Sequence, residues 1–283
     1  MLRLLAFVAA LLAAPVAAPA APTACPQHYA GGTAPDLVNE RLAARTRELC
    51  YGAFSVLHSG ITRTPLYAAQ HLTRDRIAAA RAIGRSGSFR ADPNLPKEER
   101  AELADYARSG LDRGHTAPAG DMPDQPAQDE SFYLSNMFPQ NPDNNRNLWS
   151  DIEETVRTLA RRQGELYVVT GPIFAGERLE RLRGRVLVPT GVFKAIYDPQ
   201  SGQAAAYQTP NAAGDAWTVL SISELQEVTG IDVFPGLPRS VKDIAMSLPN
   251  PVPPGRRPQA RDGDPSRAPQ VGETRETGRR PQR

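Results

Sequence analysis

Several features that would settle the class of this chain at once are scarce or missing. Among 283 residues there are two cysteines, two tryptophans and four histidines, and aromatics make up only 6%. Two cysteines allow a single disulfide, and neither sits in a motif with an activating histidine. The formal charge is only +2. A polyanionic partner would therefore have to be met by local clusters of arginine rather than by the field of the whole molecule. The apolar run at 4–14 is shorter than the ~20 residues a membrane span needs. No G-x-S-x-G elbow and no H-E-x-x-H helix occurs, which leaves the common serine and zinc hydrolases without a site. Internal repeats are absent as well.

At the N-terminus, Met1-Leu2-Arg3 precedes that apolar run and a small-residue and proline stretch at 15–22. This reads as a signal peptide over 1–20, cut after Ala18-Pro19-Ala20. A lipid anchor on Cys25 is the weaker reading, because Pro22 stands where such signals carry an aliphatic residue. The expected location is secreted or periplasmic, with no membrane attachment after cleavage. In an oxidising compartment Cys25 and Cys50 are expected to pair, adding roughly 3 kcal/mol in the chain-entropy model. Residues 250–283 are rich in Pro, Arg, Gln and Gly and read as a disordered tail whose arginines add a weak, salt-sensitive grip on phosphates.

Between these ends, 25–249 reads as one domain with 40% hydrophobic residues overall, enough for an ordinary core. Helical spacing is expected over 37–49, a charged helix from Leu95 to about Ala107 with Asn94 as N-cap, and a helix over 149–162. Strands are expected at 53–57, 66–72, 132–136, 166–170, 186–188, 192–197 and 204–207. Ser221-Ile222-Ser223-Glu224 is a capping box, and Gly230 closes its helix. Strands without regular βαβ alternation indicate an α+β fold with an antiparallel sheet core.

The chemistry concentrates in 111–162. Asp112-Arg113-Gly114-His115 puts a base, a phosphate-binding cation and a close backbone approach side by side. Phe132 to Asn136 forms a compact element, and Asn144-Asn145 leads into a helix. Asn145, Trp149, Glu153 and Arg157 fall on one i, i+4 line if that helix starts early. Such a line can bring an amide oxygen and a carboxylate to one cation.

These segments resemble the DNA/RNA non-specific endonuclease family, which includes secreted Serratia-type nucleases and mitochondrial endonuclease G. Further blocks follow in order: Tyr167 to Phe174, Val188-Pro189-Thr190 with Phe193-Lys194, and Thr229-Gly230-Ile231-Asp232 with Phe234 to Pro238. Phe138 and Asn147-Leu148 depart from the usual pattern without removing a catalytic group. The resemblance implies a ββα-metal finger packed by helices, in which the first strand ends in His115, the second carries Asn136, and the helix presents Asn145 to Mg²⁺, with Mn²⁺ as substitute. It implies that His115 is the general base, steadied by Asn136, and that Glu153 holds water on the ion. Arg113 and Arg157 would neutralise phosphate charge, and Asp112 would fix the loop. A further substrate arginine is Arg85 or Arg90, with Arg85 preferred. The implied partners are DNA and RNA, cut with little sequence preference to leave 5′-phosphate ends, with a homodimer by analogy. The competing reading is a catalytically weak nucleic-acid-binding module of the same fold.

Overall fold

The computed structural model describes residues 23–251. The leader expected at 1–20 and nearly all of the tail expected at 250–283 lie outside the described residues. In chain order the elements are β1 (Asp36–Leu37), β2 (Thr46–Cys50), β3 (Ser55–Ser59), β4 (Thr64–Thr73), α1 (Arg74–Ile83), α2 (Leu103–Tyr106), β5 (Asp112–His115), α3 (Gln125–Ser131), β6 (Met137–Gln140), α4 (Pro142–Arg146) and α5 (Leu148–Gln163). There follow β7 (Glu165–Ile173), β8 (Arg181–Leu182), β9 (Val186–Leu187), β10 (Gly191–Asp198), β11 (Gln203–Pro210), β12 (Thr218–Leu220), α6 (Ile222–Thr229), β13 (Ile231–Asp232) and α7 (Arg239–Lys242).

Seven strands form one antiparallel sheet in the order β12-β11-β10-β7-β4-β3-β2. Its central strands read as nearly continuous apolar runs because both faces are covered. On one face Leu66, Tyr67, Val169, Phe193 and Ala195 pack with Tyr29, Ile222 and Leu225. On the other, Leu72, Val168, Val192 and Ile196 meet Trp149, Ile152, Val156 and Ala160 of α5. Those four α5 residues recur at helical spacing, so the helix buries one stripe against the sheet. Burying a side chain such as Ile152 stabilises by about 1.5–3 kcal/mol, and a charge in its place would lift α5 from the sheet.

The short β5–β6 pair forms its own two-stranded sheet. The chain runs from β6 into α4, then breaks at Asn147 (φ −113°, ψ −97°) before α5 begins. Two strands followed by this helical segment are the ββα arrangement expected from the resemblance, within a mixed fold of helices and antiparallel sheet.

The expected strands around 66–72, 166–170, 192–197 and 204–207 are present and longer, and the one expected at 53–57 is present at Ser55–Ser59, shifted by two residues. The capping box at Ser221 and Glu224 is formed, and Gly230 closes α6 in the left-handed region. Cys25 and Cys50 are bonded, with Cα atoms 5.7 Å apart. Three expectations are corrected. Over 37–49 there is no α-helix: Arg45 turns the chain at φ 55°, and Thr46–Cys50 is taken up as a sheet edge by β3, so tertiary pairing overrides the local spacing. Over 95–107 only Leu103–Tyr106 is helical. The 132–136 strand is instead the end of α3 and a 3₁₀ turn, Leu134–Asn136. In addition, Val186–Leu187 pairs with β8 rather than joining the large sheet, and α1 was not anticipated.

Candidate active site

β5 delivers the motif. Asp112, Arg113, Gly114 and His115 pair with Gln140, Pro139, Phe138 and Met137 of β6. Gly114 is required by sterics, since a Cβ there would lie 2.7 Å from the Gln140 Cβ. Gln140 in turn donates to Asn144 Oδ1 (2.8 Å), and Asn144 donates to Thr209 Oγ1 (3.2 Å). This buried amide chain ties α4 to β11. Asn141 caps α4 by accepting from Asp143 and Asn144, which sets where Asn145 stands.

A cavity of about 700 Å³ opens between β5, the end of α1 and α5, and Arg85, Arg113, His115, Asn145, Glu153 and Arg157 all line it. Six of the seven expected site residues therefore meet in one place. Asn136 does not line it. That side chain is fully buried, accepting from Ala117 N (2.9 Å) and donating to the carbonyls of Ala117 and Ser131. Its own carbonyl accepts from Thr116 N. The expected placement of Asn136 on the second strand beside His115 is thus corrected: it staples the loop that follows His115, because a buried amide must satisfy its polar atoms. Of the two upstream arginines, Arg85 lines the cavity, whereas the Arg90 guanidinium stacks 4.3 Å over Tyr133.

His115 is 9% exposed and wedged against Phe89 and Phe132, with ring centroids 5.6 and 5.1 Å away. Burial pushes its pKa down to about 3, and the nearby positive charge of Arg85 adds to the shift. The ring is therefore neutral at any physiological pH, and its buried Nε2 has no hydrogen-bond partner. Arg113 stacks 4.4 Å over Phe89.

Across the cavity, burial raises Glu153 to about 7, with Asp121 adding to the rise and Arg157, Lys194 and Arg85 opposing it. Arg157 does not grip Glu153 as the i, i+4 spacing suggested. It pairs with Asp121 (3.0 Å) and Glu154 (2.9 Å), and the break at Asn147 takes Asn145 off the α5 line altogether. Asn145 Nδ2 donates to Asp112 (2.9 Å).

Sequence reading assigned no role to two neighbours of the site. Lys194 is 1% exposed, its Nζ donating to Thr170 Oγ1 (2.7 Å) and lying 5.5 Å from the Trp149 ring. Burial lowers its pKa, while Glu153 and Asp121 oppose the change. The signal was a lysine at an inward position of an apolar strand, Val192 to Ile196. Asp121, also buried, anchors Arg157. Together the cavity holds a neutral base, oxygen donors and guanidinium groups, a set that suits chemistry at a phosphate.

Comparison with known proteins places the chain in a family. Residues 36–240 match the DNA/RNA non-specific endonuclease family. Nuclease C1 of Cunninghamella echinulata is 37% identical over 61% of this chain and 76% of its own length. Nuclease 1, mitochondrial, of Schizosaccharomyces pombe is 33% identical over 63% of each chain, and the human mitochondrial nuclease EXOG is 31% identical over 69% of this chain and 59% of its own length. This chain thus spans less than two thirds of the latter two. A crystal structure of EndoG in complex with EndoGI superposes with a TM-score of 0.64 at 27% identity, over 69% of this chain and 88% of that one. The expected secreted or periplasmic location is corrected by these relatives: several of them are named as mitochondrial nucleases. Among the described residues no helix is long and apolar enough to cross a membrane. With the family match covering most of its length, the chain belongs to the DNA/RNA non-specific endonucleases.

Proposed function

We propose that this chain is a magnesium-dependent endonuclease that hydrolyses phosphodiester bonds of DNA and RNA with little regard to sequence. The observation that carries the reading is the meeting of a neutral, buried His115 with Asn145, Glu153 and the guanidinium groups of Arg85, Arg113 and Arg157 in one cavity.

The residues fit a hard divalent cation. Asn145 has its amide nitrogen tied to Asp112, which leaves the amide oxygen uncommitted, and Glu153 adds a carboxylate on the same cavity. An all-oxygen donor set with few protein ligands suits Mg²⁺, which keeps most of its waters, and Mn²⁺ as a substitute. Bound there, the ion would draw charge from the phosphate and ease departure of the 3′ oxygen.

The remaining steps belong to the chain's own groups. The neutral His115 ring takes a proton from a water attacking phosphorus in line. Asn136 holds the 115–117 loop and so keeps that ring at its post. Arg113 and Arg85 stabilise the extra negative charge of the pentacovalent state, and Arg157, fixed by Asp121 and Glu154, adds its positive charge from the same cavity lining. Glu153 orders water on the opposite wall. The P–O3′ bond breaks, the leaving 3′ oxygen takes a proton from solvent water, and the phosphate stays on the 5′ end. Phosphate contacts carry little base information, which accounts for weak sequence preference.

The test is digestion of supercoiled plasmid and of RNA with Mg²⁺, with EDTA, and with His115→Ala. Cleavage is expected only in the first case, with the variant reduced about 10²–10⁴-fold. Intact nucleic acid across a range of divalent ions would overturn the catalytic reading in favour of a binding module.

A further inference from the structure

Among the described residues, four non-glycine residues have a positive φ, and all four are arginines: Arg45 (55°), Arg63 (58°), Arg108 (57°) and Arg183 (49°). A residue with a side chain is uncommon in this region, and where one occurs Asn or Asp is the usual choice. Arginine has no local backbone advantage there, and a sparsely populated conformation persists only where its surroundings hold it.

The four turns are neighbours. Gly60, in the turn that carries Arg63, donates its N–H to Arg45 O (2.9 Å). Arg181 reaches the carbonyl of Ile61 in the same turn (3.2 Å). Arg183, two residues further along the β8–β9 hairpin, donates to the carbonyls of Ala104 (2.8 Å) and Ala107 (3.0 Å). Ala107 directly precedes Arg108, and the chain then runs into β5, where Arg113 lines the catalytic cavity. The hairpin also shares a cluster with Phe89 through Leu182 and Val186, and Phe89 is a wall of that cavity.

Charge in this band is not neutralised. None of Arg45, Arg63, Arg108, Arg181 and Arg183 has a carboxylate within 4 Å among the described residues, while nearby Asp105 pairs with Arg185, Glu102 with Arg100 and Glu99 with Arg47. Arg63 Nη1 is buried with no partner. Among the described residues, the exposed side chains of Arg45 and Arg108 make no hydrogen bond, ion pair or ring contact.

We propose that these turn-borne arginines form a phosphate track that carries the backbone of a duplex from Arg45 past Arg63, Arg181, Arg183 and Arg108 into the catalytic cavity at Arg113. The proposal rests on the nuclease reading and adds where the substrate lies beyond the scissile bond. Its partner chemistry is a regular array of phosphates, met by guanidinium groups at successive turns, with no base readout.

The experiment compares the full chain with Arg45→Gln, Arg108→Gln and the double variant; Arg183 is left intact because it satisfies carbonyls at the end of α2. Binding to a duplex long enough to cross both cavity and track is measured in EDTA across a range of salt. The slope of log Kd against log salt is expected to fall by about one for each phosphate that the variant no longer neutralises. Cleavage of the long duplex should drop several-fold, whereas hydrolysis of bis(p-nitrophenyl) phosphate, which occupies the cavity alone, should be unchanged. Unchanged salt slopes in the double variant, with unaltered thermal unfolding, would overturn the track. Failure of the unmodified chain to cut either ester would overturn the nuclease reading instead, and the slopes in EDTA would still decide the track.

Discussion

Asn145 Nδ2 donates to Asp112 Oδ2 at 2.9 Å, and the same carboxylate receives Arg146 Nε and Nη2 at 2.9 and 2.7 Å. One acid at the start of β5 therefore sets the orientation of the amide on α4. Burial alone would raise Asp112, yet hydrogen bonds from Arg146 and Asn145 hold it below its usual range, so it stays ionised. Asp112→Asn removes the charge and makes the amide orientation ambiguous. Mg²⁺ affinity, read by titration calorimetry, is expected to fall about 10–100-fold, with activity at saturating Mg²⁺ affected much less. Equal affinity in the variant would show that Asp112 serves only the fold.

A second expectation concerns Gly114. The Cβ of an alanine would press on the Gln140 side chain, 2.7 Å from its Cβ and 2.0 Å from its Oε1. Gly114→Ala should cost about 1–3 kcal/mol in urea unfolding and displace His115, the next residue, so that nuclease activity falls further than stability does. A variant of full stability and activity would refute the steric account.

The pH dependence of stability should report Glu153. Its carboxyl is raised from the usual value to about 7, first by burial and then by Asp121. A raised folded-state pKa means that the fold prefers the protonated form. The favourable contribution is complete below the unfolded-state value near 4.5 and is lost as pH rises through about 7. Glu153→Gln should therefore raise Tm more at about pH 8 than at about pH 4, while losing nuclease activity. A Tm increase independent of pH would exclude this strain at the cavity.

Reduction offers a fourth measurement. Cys25–Cys50 closes a loop with a sequence separation of 25, worth about 3 kcal/mol in the chain-entropy model. Both cysteines lie away from the cavity lining, so a reductant should lower the midpoint of denaturant unfolding and leave the turnover of folded protein unchanged.

Much of the site could be read in the sequence because its chemistry is carried by short contiguous motifs. Asp112 to His115 lie on one strand, and Asn145 and Glu153 follow within one turn-and-helix segment. Strands buried on both faces, such as Val192 to Ile196, were legible as apolar runs. What escaped detection depends on distant partners. The segment over 37–49 has helical spacing, but its start pairs with β13 and its end, from Thr46, with β3. Asn136 was expected on the second strand beside His115, yet its amide is consumed by Ala117 and Ser131. The pairing of Arg157 with Asp121, 36 positions earlier in the chain, and the burial of Lys194 against Trp149 have no local signature at all.

The interruption at Asn147 has a consequence for how this site can change. The amide arm on α4 hangs from β5 and β11 through Asp112, Gln140 and Asn144, whereas the carboxylate on α5 is moored to the central sheet through Trp149, Ile152 and Val156. With no continuous helix between them, the two segments meet only through Asn147, and a substitution in one mooring is expected to leave the other in place. On the proposed reading, metal affinity and acid strength would then be two separately adjustable dials, and double mutants drawn from the two moorings should combine additively.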